Sequence, residues 1–151
     1  SSAASDVYKS QVIVVDTSYS TSGELVKKFL RETFTILSET DSFFRKRKIH
    51  IIQCDELVHS DITVTGDTDI DILINNFELA GGGNTDFRPA FEYVNNLIDT
   101  GEIKKLQGLL YFTDGKGKYP KKKMPYNTAF VFIDKLSETA VPAWAMKVSL
   151  E

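Results

Sequence analysis

Two short apolar runs constrain this chain most, because each is continuous rather than alternating and each stops on an aspartate. They are "QVIVVD" (11–16) and "LLYFTD" (109–114). Side chains along a strand point to opposite faces in turn, so a run that is apolar at nearly every position needs cover on both sides. Strands of that kind sit inside parallel sheets flanked by helices. The intervening sequence supplies the helices. Thr21 with Glu24 makes a capping box, and Leu25, Val26, Phe29, Leu30, Ile36 and Leu37 follow as an apolar stripe at helical spacing. "KIHIIQCDE" (48–56) reads as another strand, and "ELVHSDITVTG" (56–66) alternates as its antiparallel hairpin partner. A short helix is expected over 69–76. After the glycine-rich turn in "ELAGGGNTDFRP" (78–89) a further helix begins, with Pro89 tolerated in its first turn. It is expected to end near Asp99 and to turn Phe91, Val94, Leu97 and Ile98 inward. Late strands within 128–134 and 143–151 complete an α/β arrangement. The sheet is mostly parallel, with one antiparallel strand in a hairpin and helices on both faces.

Composition narrows the class further. A chain of 151 residues with 42% hydrophobic and 26% charged residues is one domain with enough material for a full core. No apolar run is long enough to cross a bilayer, and a formal charge of -3 carries no basic excess, so neither a membrane nor a nucleic acid is the expected partner. Cys54 stands alone, which excludes an internal disulfide and a cysteine zinc site and favours a reducing, cytoplasmic setting. The opening "SSAASDVYKS" (1–10) lacks the charged and apolar regions of a signal peptide and reads as a linker before a domain at 11–151. With no initiator methionine, the chain is expected to be the C-terminal domain of a longer protein and a monomer in isolation.

In such sheets ligands bind beyond the carboxyl ends of the strands, where strand order reverses. Three loops bring oxygen to that edge: "DTSYS" (16–20), "GGNTD" (82–86) and "TDG" (113–115). Together they offer the carboxylates of Asp16 and Asp114 and the hydroxyls of Ser18, Ser20 and Thr85, with Asp86 as a further carboxylate. Hard divalent cations take oxygen ligands, and Mg²⁺ prefers six at about 2.1 Å while keeping several waters. Asp16, Ser18 and Ser20 alternate, so an extended segment would present all three on one side. Two carboxylates against a 2+ ion leave it electrophilic, able to take one more oxygen from outside.

At these residues the chain resembles the von Willebrand factor A (VWA) domains with a metal-ion-dependent adhesion site, a Rossmann-like fold. The resemblance rests on D-x-S-x-S after the first strand, a loop threonine, and T-D-G after a buried strand. It implies Asp16, Ser18 and Ser20 as the first metal loop, Thr85 as the second and Asp114, acting through water, as the third. "IQCDELV", "GGGNTDFRPAFEYV" and "LLYFTDGKGKYP" are similar to a bacterial VWA-like family found C-terminal to a metallopeptidase-like region. The implied ion is Mg²⁺, with Mn²⁺ or Ca²⁺ as alternatives, and the implied partner is a protein or adjacent domain presenting Asp or Glu. Tyr19 stands where many members carry glycine, and Lys116 and Lys118 make the third loop unusually basic.

Other readings stand beside this one. Ser20 and Thr21 suit helix caps, and Asp86 suits a cap or an acceptor behind the ligands more than a direct ligand. Tyr19, Phe87 and Tyr119 are expected on the partner-facing surface. His50, His59 and Cys54 read as structural, since none has a ligand or base at a suitable spacing. Lys121, Lys122 and Lys123 form a solvated loop or a patch that steers an acidic partner. The leading function is a non-enzymatic, metal-dependent binding module. The alternatives are a Mg²⁺-dependent hydrolase or phosphatase, which "DTSYS" suits poorly because Ser18 replaces the second carboxylate, and a structural domain with a vestigial site.

Overall fold

The computed structural model describes residues 9–18, 23–38, 47–114, 116–132 and 141–149, at 36–38 the backbone alone. Its strands are β1 (Lys9–Asp16), β2 (Arg47–Cys54), β3 (Val58–Val64), β4 (Leu106–Thr113), β5 (Asn127–Phe132) and β6 (Met146–Ser149). Its helices are α1 (Gly23–Ser38), α2 (Ile70–Asn75) and α3 (Arg88–Asp99). The strands form one sheet in the order β3-β2-β1-β4-β5-β6. All neighbours run parallel except β2 and β3, the antiparallel hairpin.

The apolar runs end up where their composition requires. Val12 and Val14 of β1 lie on the face covered by α3, among Ile52, Leu109, Tyr111 and Phe130, and meet Phe91, Val94 and Leu97. Ile13 and Val15 lie on the opposite face with Ile51, Phe112 and Val131, under Val26, Phe29, Leu30 and Phe34 of α1. Phe29 stacks on Phe112 with ring centroids 4.4 Å apart. Each such side chain contributes on the order of 1.5–3 kcal/mol by leaving water, which is why both faces must be roofed.

Boundaries differ locally from the sequence expectation. β1 starts at Lys9, two residues into the expected linker, because the Ser10 N–H donates to Lys105 O and Ser10 is buried. Leu25 is exposed, so the inner stripe of α1 starts at Val26. α2 is capped by Asp69, which accepts from Ile72 N at 3.1 Å. Ile98 sits at the core margin, while Ala90 joins the buried face of α3. Trp144 packs edge-on against Phe91 and donates to Pro120 O. Thr21, the side chains of Ile36 and Leu37, and the ends of the two late strand segments lie outside the described residues. No helix among the described residues is long and apolar enough to cross a membrane.

β2 and β4 flank β1 on opposite sides. Strand order therefore reverses between β1 and β4, and the carboxyl ends of those two strands carry Asp16, Thr113 and Asp114.

Candidate functional site

Asp16 is the last residue of β1 and is fully buried. Its Oδ2 accepts from Thr113 Oγ1 at 2.6 Å, and its Oδ1 accepts from Ser18 N at 2.9 Å. The bond from Ser18 N folds the chain back over the carboxylate as an Asx turn. Burial pushes the Asp16 carboxyl above its usual value; the Thr113 and Ser18 bonds pull against that rise, and the charge of Asp114 adds to it. Among the described residues no lysine, arginine or histidine pairs with Asp16. A carboxylate offers about four acceptor directions, and these two hydrogen bonds leave room for a further electropositive partner.

The glycine loop reaches this carboxylate's neighbourhood through the backbone. Gly82 N donates to Thr17 O at 2.8 Å, and Gly81 and Gly82 both have positive φ. A Cβ at Gly81 would lie 2.6 Å from Thr17 Oγ1, a closeness that only glycine permits. That Thr17 hydroxyl is buried and has no hydrogen-bond partner among the described residues. Beyond the glycines, Thr85 is half-buried and its methyl would be 2.7 Å from a Cβ at Gly117 in the third loop. Phe87 N donates to Lys118 O, and Asp86 and Lys118 form an isolated parallel bridge.

Asp114, one residue past β4, is half-buried and accepts from Lys116 N at 3.1 Å. The three loops are thus joined pairwise: first to second by Gly82 and Thr17, second to third by Phe87 and Lys118, third to first by Thr113 and Asp16. Asp16, Ser18, Thr85 and Asp114 lie on these linked loops. Ser20 and Tyr19 lie outside the described residues. The donor set is all oxygen with two carboxylates, the chemistry a hard cation prefers. Among the described residues there is no group of three or more histidines, cysteines, aspartates or glutamates suited to a metal.

Phe87 takes a different role from that expected of it, while Asp86, His50, His59 and Cys54 hold structural ones. Phe87 is completely buried, between Tyr111, Tyr119 and Phe130, and so does not face a partner. The bond from its N–H to Lys118 O turns the chain inward there. Tyr119 is half-buried against Phe87 and Phe130; burial pushes its hydroxyl up to about 12, and the charge of Asp114 acts the same way. Asp86, just before the Phe87 N-cap of α3, accepts from Arg88 N and pairs with the Arg88 guanidinium at 2.8 Å, which holds its carboxyl below the usual range. His50 bonds Asp61 at 2.9 Å, and His59 bonds Asp55 at 2.7 Å. Cys54 is buried, and that burial pushes its thiol up to about 12, which removes it as a nucleophile at neutral pH.

Asp55 is the residue that sequence reasoning passed over. It is buried at the end of β2, and its carboxylate accepts from Leu57 N, His59 Nε2 and Gly83 N. Burial pulls its carboxyl upward, and these donors outweigh that pull and leave it below the usual value. The signal was present in "IIQCD", a third apolar strand that stops on an aspartate.

The family model described as VWA-like domain (DUF2201) matches residues 11–151. Among solved structures, proximal thread matrix protein 1 from the mussel byssus is similar, with a TM-score of 0.63 at 16% identity. That match covers 86% of this chain and 38% of the byssus protein, so the chain spans well under half of that protein's length. The SpRpn10 VWA domain is similar with a TM-score of 0.61 at 13% identity, over 95% of this chain and 88% of that one. At these identities the likeness is one of fold. No curated protein matches the chain.

Proposed function

The chain belongs to the family of VWA-like domains (DUF2201), and from that premise we propose that it is a protein-binding module whose ligand contact is a divalent cation. Asp16, Ser18, Ser20, Thr85 and Asp114 would hold Mg²⁺, with Mn²⁺ or Ca²⁺ as substitutes. When bound, the ion supplies a Lewis-acidic charge that can accept an Asp or Glu oxygen from a partner protein or neighbouring domain. One observation carries the reading: Asp16 is a fully buried carboxylate at the strand-order reversal, with no cationic side chain paired to it among the described residues. An uncompensated buried charge is costly, and a bound cation removes that cost.

The basic third loop suits an acidic partner. Lys116, Lys118, Lys121, Lys122 and Lys123 are all exposed, and opposite charge raises encounter rates while fixing little of the final geometry. The test is calorimetric titration of the protein with Mg²⁺, repeated on Asp16→Ala, and partner capture from lysate with and without chelator. The reading expects saturable Mg²⁺ binding that Asp16→Ala abolishes. A partner retained undiminished in excess chelator overturns it.

A further inference from the structure

Resting on the Mg²⁺ reading, we propose that Asp55 is the positioning residue that preforms the Thr85 loop, touching neither the cation nor the partner. The loop over 78–86 has no regular structure of its own. Two side chains from the end of β2 hold it. Gln53 donates through Nε2 to Glu78 O at 3.1 Å and accepts from Ala80 N at 2.7 Å. Asp55 then accepts from Gly83 N at 3.0 Å through Oδ2, while its own carbonyl accepts from Asp86 N at 3.2 Å. Four bonds from two residues thus fix the segment on both sides of its glycines.

The same contacts bear on the first and third glycines of the triplet. A Cβ at Gly83 would lie 2.9 Å from Asp55 Oδ2, and a Cβ at Gly81 would lie 3.0 Å from that oxygen. The carboxylate occupies the space that side chains at 81 and 83 would fill. Its other oxygen is held by Leu57 N and His59 Nε2, so Asp55 cannot rotate away to relieve such a clash without losing both. Asp55 is therefore clamped from the β2–β3 turn and in turn clamps the loop. A loop that is ordered before the ion arrives does not spend binding energy on its own ordering. Groups that orient ligands from behind typically change metal affinity about 10–100-fold when removed.

The experiment compares the whole chain with Asp55→Asn, Gly83→Ala and the control Asp61→Asn, measuring Mg²⁺ affinity, thermal midpoint and amide exchange at Gly82, Gly83 and Asp86. Asp61 is a partly buried carboxylate on β3 that bonds His50 and Tyr93, away from the loop. Asp55→Asn is expected to weaken Mg²⁺ binding about 10-fold or more and to speed exchange at Gly82 and Gly83 by a similar factor. Gly83→Ala keeps the carboxylate but displaces the loop, and should do the same even if Asp55→Asn fails to fold. Asp61→Asn should lower the midpoint while leaving affinity and exchange unchanged. Affinity and exchange within twofold of the parent in Asp55→Asn or Gly83→Ala overturn the proposal. If the parent chain itself binds no Mg²⁺, the cation reading fails, and exchange alone then decides whether Asp55 orders the loop.

Discussion

Thr113 and Asp16, 97 positions apart in the chain, are joined by a 2.6 Å hydrogen bond between their side chains in the fully buried seam of β4 and β1. The hydroxyl satisfies one carboxylate oxygen and fixes the rotamer in which the other meets Ser18 N. Thr113→Val removes this donor at nearly constant volume. The variant should lose about 1–3 kcal/mol in urea unfolding, because a buried acceptor is left unmet, and Thr113→Ser should recover most of that loss.

Asp16→Asn separates the cost of the charge from its use. The neutral amide keeps the shape but removes a buried charge that no cation among the described residues offsets. Without metal the variant should be at least as stable as the parent. Adding Mg²⁺ at about 100 times its dissociation constant should stabilise the parent by about 2.7 kcal/mol and the variant not at all. Thermal midpoints with and without the ion check both halves.

Asp61 gives the domain a defined acid limb. Burial pushes its carboxyl up, but the bonds from His50 and Tyr93, with the charge of His50, leave it below the ordinary 3.8. A carboxyl whose folded value is depressed stabilises fully above its unfolded value and loses that contribution as pH falls through the folded one. Stability should therefore decline as pH drops below about 4, and Asp61→Asn should flatten that decline. Urea midpoints measured from pH 6 down to pH 2 would show it.

Phe87→Ala should be severe. The ring fills a cage of Tyr111, Tyr119 and Phe130, with centroids 5.0, 4.6 and 5.5 Å away. Emptying it should cost about 3–5 kcal/mol. Gly117→Ala, which would set a Cβ 2.9 Å from the same ring, should destabilise from the opposite direction, through overpacking. Chemical unfolding of the two variants compares them directly.

The strands and α3 were legible because their burial is written as local pattern: "QVIVV" has no polar residue to turn outward, and Phe91, Val94 and Leu97 recur at helical spacing. The rim aspartates were legible because a charge ending an apolar run needs a reason. Phe87 was not, since its position beside Thr85 and Asp86 suggested the rim, whereas a backbone bond to Lys118, 31 residues on, decides its direction. Asp55 was hidden for a related cause. Its acceptors serve backbone N–H groups of a distant loop, and no residue type announces such a partner.

The seam of β1 and β4 also bears on the order of events in folding. Its two halves meet only after most of the chain has been threaded between them, and contacts of such separation form at high entropic cost and late. A cation held across that seam would recognise the finished sheet and no earlier species, since the unfolded chain keeps its two carboxylates far apart. Ion binding would then act as a ratchet, slowing the opening of the completed domain while leaving the rate of its assembly almost untouched.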